Sequence, residues 1–185
     1  MFSVLAASGH RAAARPIPRS TEVVATTTRA DYGPAVPRTH HQVLGDYGEV
    51  VVARLPCPKC KHERTLRRLP VNFRYADVIC DFCGYLAQVK ATRQADVDKP
   101  PRSLMGSAWA PQKERMDAGI YFPLFIVVVN QDRSAHAVYY LPADLQHPQM
   151  FQERQPLGPT ARRAGWVGYH LRLDLAGGHK PVRVA

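Results

Sequence analysis

The chain has 185 residues, enough for one domain with a proper core plus a tail, and its hydrophobic content of 45% is that of an ordinary globular protein. Lys and Arg outnumber Asp and Glu by 25 to 15, and a net charge of +10 favours a polyanion, most simply nucleic acid, as partner. No stretch is long and apolar enough to span a bilayer as a helix, and the opening FSVLAASG is too short and too broken for a signal-peptide core, so a cytoplasmic protein with no membrane partner is expected.

Residues 1–40 form a zone of their own, with Arg11, Arg15, Arg19, Arg29 and Arg38 against only Glu22 and Asp31 and no sustained periodicity. A disordered basic tail is expected there, although an Arg-rich, acid-poor start is also the composition of a transit peptide. Residues 41–185 keep +7 of the charge and are expected to form the folded domain. In QVLGDYGEVVVARL, residues 42–55, the apolar positions Val43, Leu44, Tyr47, Val50, Val51 and Leu55 lie on one helical stripe. The glycines within it would allow close approach to another backbone.

A basic connector follows, with Lys61, Arg64, Arg67, Arg68 and Arg74 against Glu63. Residues 74–79 and 85–91 read as strands, residues 102–118 as a helix, and 122–129 with 136–141 as a buried hairpin across NQDRS. GPTARRAGW is a Pro/Gly-bounded loop, and residues 169–175 alternate like a last strand. The pattern is that of a mixed α/β domain without internal repeats.

Four cysteines occur, in CPKC and CDFC with nineteen residues between the pairs. That spacing fits tetrahedral zinc held by Cys57, Cys60, Cys80 and Cys83, and four thiolates leave no open position for catalysis, so the zinc is expected to be structural. His40 and His41 are expected to be solvated.

In a strand, Gln88 and Lys90 share a face, and a hairpin between 74–79 and 85–91 places Asp77 opposite Gln88. An Asp beside a Lys is also what a plain salt bridge on a sheet face looks like, and these three residues alone leave both readings open. An acid from one strand and a polar-x-Lys from the next is, however, the minimal site of the PD-(D/E)xK nucleases. There the acidic oxygens and the carbonyl between the last two residues, here that of Val89, hold a hard divalent cation such as Mg²⁺, and the lysine orients water. Arg162, Arg163 and Trp166 would offer phosphate charge with an aromatic plate, or form an ordinary surface loop around a packed Trp.

CPKC, ADVICDFC, QVK eleven residues beyond Asp77, and PLGPTARRAGWVG at 156–168 occur in the order seen in the DpnI-like restriction endonucleases, and the chain resembles that family from about residue 43 to 175. The resemblance implies a PD-(D/E)xK mixed sheet flanked by helices with an inserted zinc site. It implies cleavage of double-stranded DNA at adenine-methylated GATC sites, with Mg²⁺ at Asp77, Gln88 and Val89, and Trp166 on the methylated adenine. Two departures stand out. The family's second acid is Glu where this sequence has Gln88, so Glu49 on the first helix is a candidate compensating carboxylate. The family also continues into a winged-helix domain, and the present sequence stops before one, so a dimer or a partner is expected to supply a second DNA-reading domain. The alternative reading is a zinc module that binds methylated DNA with weak or no cleavage.

Overall fold

The computed structural model describes residues 38–71, 73–176 and 179–185. The expected disordered tail, apart from residues 38–40, lies outside them. Helix α1, His40–Val52, starts two residues earlier than expected because Thr39 and Gln42 form a capping box: the Thr39 hydroxyl accepts the Gln42 amide, and Gln42 Oε1 accepts the Thr39 amide at 2.8 Å. Its buried stripe is Leu44, Gly48, Val51 and Val52, whereas Val50, expected in the stripe, is 36% exposed. His40 and His41 are exposed, as expected.

The strands are β1 Leu66–Arg68, β2 Val78–Cys80, β3 Leu86–Arg93, β4 Ser103–Ala108, β5 Leu124–Val129, β6 His136–Leu141, β7 Phe151–Glu153, β8 Gly168–Arg172 and β9 Val182–Arg183, with helix α2, Trp109–Asp117, after β4. Six strands form one sheet in the order β1-β2-β3-β5-β6-β9. It is mixed: β3 and β5 run parallel, from Gln88 opposite Leu124 to Arg93 opposite Val129, and the other pairs are antiparallel. Every residue of β5 is buried, as a strand covered on both faces requires.

Alternation along β5 divides the core. Phe125, Val127 and Val129 join Leu44, Val52 and Val89 beneath α1, while Leu124, Ile126 and Val128 join Leu104, Tyr139, Met150 and Tyr169 on the other face. Gly48 is where the helix meets the sheet. A Cβ there would come within 2.9 Å of the Ala91 Cβ, so only glycine lets α1 settle against β3. Gly45, by contrast, has open space around it.

The mixed α/β sheet is therefore as expected, but its second face is covered by a three-stranded sheet, β4-β8-β7, together with α2, rather than by helices alone. The expected helix at 102–118 divides: residues 103–108 form β4, and only 109–117 are helical. Pro111 explains the division. It lacks an amide hydrogen, which costs nothing in the first turn of a helix from Trp109 but would break one running from residue 102.

The expected strand at 74–79 also shortens, to Val78–Cys80. The carbonyls of Arg74 and Tyr75 are taken by the side chains of Arg115 and Gln88 instead of by a ladder. The last expected strand, 169–175, gives β8 and then a 3₁₀ turn at Leu173–Leu175. The basic connector contains a strand, β1, that the sequence reading left irregular.

Candidate functional site

The two CxxC segments fold alike. In each, the residue after the second cysteine is left-handed (Lys61 at φ 63°, Gly84 at φ 69°), and its amide donates to the carbonyl of the first cysteine at 2.9 Å. The second knuckle is also the turn joining β2 to β3. All four sulfurs lie within 4.8 Å of one another, with Cys57 and Cys83 at 3.7 Å and Cys60 and Cys80 at 3.7 Å. Zn–S bonds of about 2.3 Å in a tetrahedron require S···S edges of about 3.8 Å, whereas a disulfide needs about 2.05 Å. The cluster thus fits a four-thiolate metal and no disulfide. Burial pushes the Cys57 thiol up to about 12 and the Cys83 thiol up as well, whereas at Cys80 burial is outweighed by the hydrogen bonds with Thr65 and with the Cys83 and Phe82 backbone, which bring it down to about 6.

Just before β2, the Asp77 amide donates to the Ala87 carbonyl at 3.0 Å, and its carboxylate Oδ2 accepts the Val89 amide at 2.7 Å. Backbone pairing alternates along β3. The Gln88 amide bonds to Pro123, next to β5, so the amide and carbonyl of Val89 point the other way, towards β2. The β2 ladder stops at the pair Val78–Ala87, so the Val89 carbonyl opens onto the gap in which the Asp77 carboxylate stands. Gln88 and Lys90 pair with Leu124 and Ile126 and share their face of the sheet. Of the expected trio, Asp77 stands just before β2 and Gln88 and Lys90 lie on one face of β3, and all three are half-buried. Gln88 Nε2 donates to the Tyr75 carbonyl at 3.4 Å, so Oε1 is the side-chain atom of Gln88 that could hold a cation.

Glu49 is placed differently. It stands on α1, and its Oε2 pairs with Arg68 of β1 at 2.9 Å. Burial pushes its carboxyl above the ordinary value, the Arg68 pairing pulls it back in part, and the charges of Asp77 and Asp46 push it further up. Glu49 therefore reaches the trio through its field, while its oxygen is held by Arg68.

The loop from Arg154 to Val167 joins β7 to β8 and is closed by Leu157, whose amide donates to the Trp166 carbonyl at 3.0 Å. Arg162 and Arg163 are exposed on it, and left-handed Gly165 (φ 75°) turns the chain back. Trp166 is half-buried. Its ring lies over Gly168, where a Cβ would meet Cη2 and Cζ3 at 2.8 Å, so glycine is needed beneath it.

First knuckle, acid, second knuckle, Q-x-K and arginine–tryptophan loop lie in this order along the described residues, and the family described as DpnI, Dam-replacing, matches residues 40–178. The chain belongs to the DpnI family. That is a family of methyl-directed restriction endonucleases, whose substrate is DNA. The match to the DpnI family runs from the start of α1 past β8 and so includes both knuckles, the trio and the loop.

Within this DpnI-family domain the sequence reading missed a polar cluster beside the trio. Gln112 of α2 is 4% exposed, and its Oε1 accepts from Arg115 Nη2 at 2.8 Å and from the Tyr169 hydroxyl at 3.2 Å. Burial pushes the Tyr169 hydroxyl up to about 12, with Arg115 pulling it down and Asp77 pushing it up, so this cluster feels the charge of Asp77. No motif marks these residues. Only Pro111, by fixing where α2 starts, could have put Gln112 and Arg115 on a short helix. Among the described residues no helix is long and apolar enough to cross a membrane.

Proposed function

We propose that this chain is a Mg²⁺-dependent endonuclease of PD-(D/E)xK type that hydrolyses phosphodiester bonds in adenine-methylated double-stranded DNA, with structural zinc on its four cysteines. The observation that carries the reading is the Asp77 carboxylate held by the Val89 amide where β2 and β3 part, with the Val89 carbonyl facing the same gap. Asp77, the Gln88 Oε1 and the Val89 carbonyl offer the all-oxygen donor set a hard cation takes. Mg²⁺ held there would supply Lewis-acid charge and lower the pKa of water.

Lys90, on the same face as Gln88, orients the attacking water and offsets negative charge gathering on the phosphate. Water adds at phosphorus as the bond to the 3′ oxygen breaks, leaving a 3′-hydroxyl and a 5′-phosphate. Arg162 and Arg163 hold backbone phosphates, and Trp166 meets the methylated base. Glu49 deepens the negative potential around Asp77 without serving as a ligand, compensating in part for uncharged Gln88.

The test is digestion of adenine-methylated and unmethylated plasmid with Mg²⁺ or with EDTA, beside Lys90→Ala. Cutting should require both methylation and Mg²⁺ and fall by about 100-fold or more in the variant. Undiminished cutting by Lys90→Ala refutes the site. A second reading, binding of methylated DNA without cleavage, is favoured by Gln88, an uncharged side chain whose amide is spent on the Tyr75 carbonyl. It predicts gel shifts that survive Asp77→Ala and vanish in Trp166→Ala.

A further inference from the structure

Phe73 and Tyr75 are 46% and 48% exposed, and their rings meet edge to face at 6.2 Å. A pair of large rings left side by side in water marks a contact surface more often than chance, because burying them would stabilise the fold. Their backbone, by contrast, is held. Arg115 Nη1 from α2 donates to the Arg74 carbonyl at 3.2 Å, and Gln88 Nε2 from β3 donates to the Tyr75 carbonyl at 3.4 Å. The segment is thus held from two sides by side chains of the candidate site, while its own side chains face outward. Tyr75 is two residues from Asp77.

We propose that Phe73-Arg74-Tyr75 is a second DNA-reading element, separate from the loop of Arg162, Arg163 and Trp166, with its rings wedged against base edges next to the cleaved phosphate. The proposal rests on the nuclease reading. Three features select DNA over a protein partner. Exposed Arg74 stands between the rings and offers a phosphate contact, Arg115 adds a second positive charge behind them, and the segment continues directly into Asp77, where the scissile phosphate must lie. Aromatic side chains flanked by arginine are the chemistry with which proteins wedge or stack on bases.

The latch also gives Gln88 a reason to be Gln. A Glu at this position would lose the donor that ties the Tyr75 carbonyl to β3 and would set two oxygens against each other. Gln88 is, on this reading, a positioning residue for the rings as well as a ligand.

The experiment uses adenine-methylated duplexes with 2-aminopurine at each position flanking the methylated site, bound with Ca²⁺ in place of Mg²⁺ so that nothing is cut. Wild-type protein should raise the fluorescence at one or two adjacent positions. The double variant Phe73→Ala/Tyr75→Ala should abolish that rise and weaken binding about tenfold or more, while circular dichroism still shows the folded protein, with a melting temperature only modestly lower because about half of each residue's surface is already exposed. Trp166→Ala should bind more weakly, but once enough protein is added to saturate the duplex it should restore the rise at those positions, which the double variant does not. A double variant that binds within twofold of wild type and cuts at the wild-type rate overturns this proposal while leaving the nuclease reading intact. Wild-type protein that binds no DNA overturns both. Loss of a dimer in the double variant, with DNA binding unchanged, assigns the rings to self-association and also overturns it.

Discussion

Gly106 of β4 lies directly under the ring of Tyr169 on the neighbouring strand β8. A Cβ at position 106 would overlap Cζ, Cε1 and Cε2, all nearer than the 3.0 Å that real Cβ atoms keep. Rotation cannot relieve the clash, because Tyr169 is 3% exposed, flanked by Trp109 and Phe151, and tied by its hydroxyl to Gln112. Overpacking a tight core costs about 1–3 kcal/mol, and losing the Tyr169–Gln112 hydrogen bond adds about 1 kcal/mol. Gly106→Ala should therefore cost about 2–4 kcal/mol, a fall of about 5–15 °C in melting temperature for a domain of this size. Thermal unfolding followed by circular dichroism measures it, with Tyr169→Phe, expected to cost about 1 kcal/mol, isolating the hydrogen-bond share. If Gly106→Ala melts within about 1 °C of wild type, Tyr169 is not confined as described and the packing argument fails.

Lys61 occupies a left-handed conformation that favours glycine, so Lys61→Gly should raise stability by about 1 kcal/mol and Gly84→Ala should lower it by a similar amount in urea unfolding; shifts of the same sign would refute the strain argument. Glu49 holds its proton in the folded state at pH values where the unfolded chain, near its ordinary 4.5, has lost it. Its contribution is thus present below that value and lost as pH climbs through the raised folded one, so wild type should lose stability relative to Glu49→Gln from about pH 4.5 upward, and a pH-independent gap in urea melts would contradict the burial argument. One zinc per chain should be found by metal analysis, and zinc-stripped protein given Mg²⁺ alone should cut no DNA until zinc is restored; full cutting by the stripped protein would show that the knuckles do not hold the trio in register.

Much of the candidate site was legible because spacing carries it. Two CxxC pairs allow few alternatives to a metal, and Asp77 with Gln88-x-Lys90 follows from the period of a strand. The hairpin of β5 and β6 was equally plain, since an unbroken apolar run bounded by a turn leaves little else. The second sheet was not legible as such. SLMGSA reads as helical until Pro111 is taken as a first-turn residue, and β1, β7 and β9, of two or three residues each, are too short to show a period. Arg68, Gln112 and Arg115 were missed for another reason. Each acquires its role from a partner far along the chain, such as Glu49 or Tyr169, and no local pattern records such meetings. The stretch before Asp77 misled because residues with strand propensity give their carbonyls to side chains instead of to a neighbouring strand.

The knuckles also bear on how the molecule is made. All four thiols belong to residues 57–83, whereas β5, the parallel neighbour that completes the centre of the sheet, begins at Leu124. A growing chain leaves the ribosome N-terminus first, so the zinc proposed for the knuckles could be loaded, and β2 locked against β3 beside Asp77, before the strand that will flank Gln88 and Lys90 has been synthesised. The short span between the cysteines makes that closure entropically cheap compared with the crossover to β5. Metal supply at the moment of translation, rather than the stability of the finished domain, would then govern how many chains emerge with the proposed reaction centre in register.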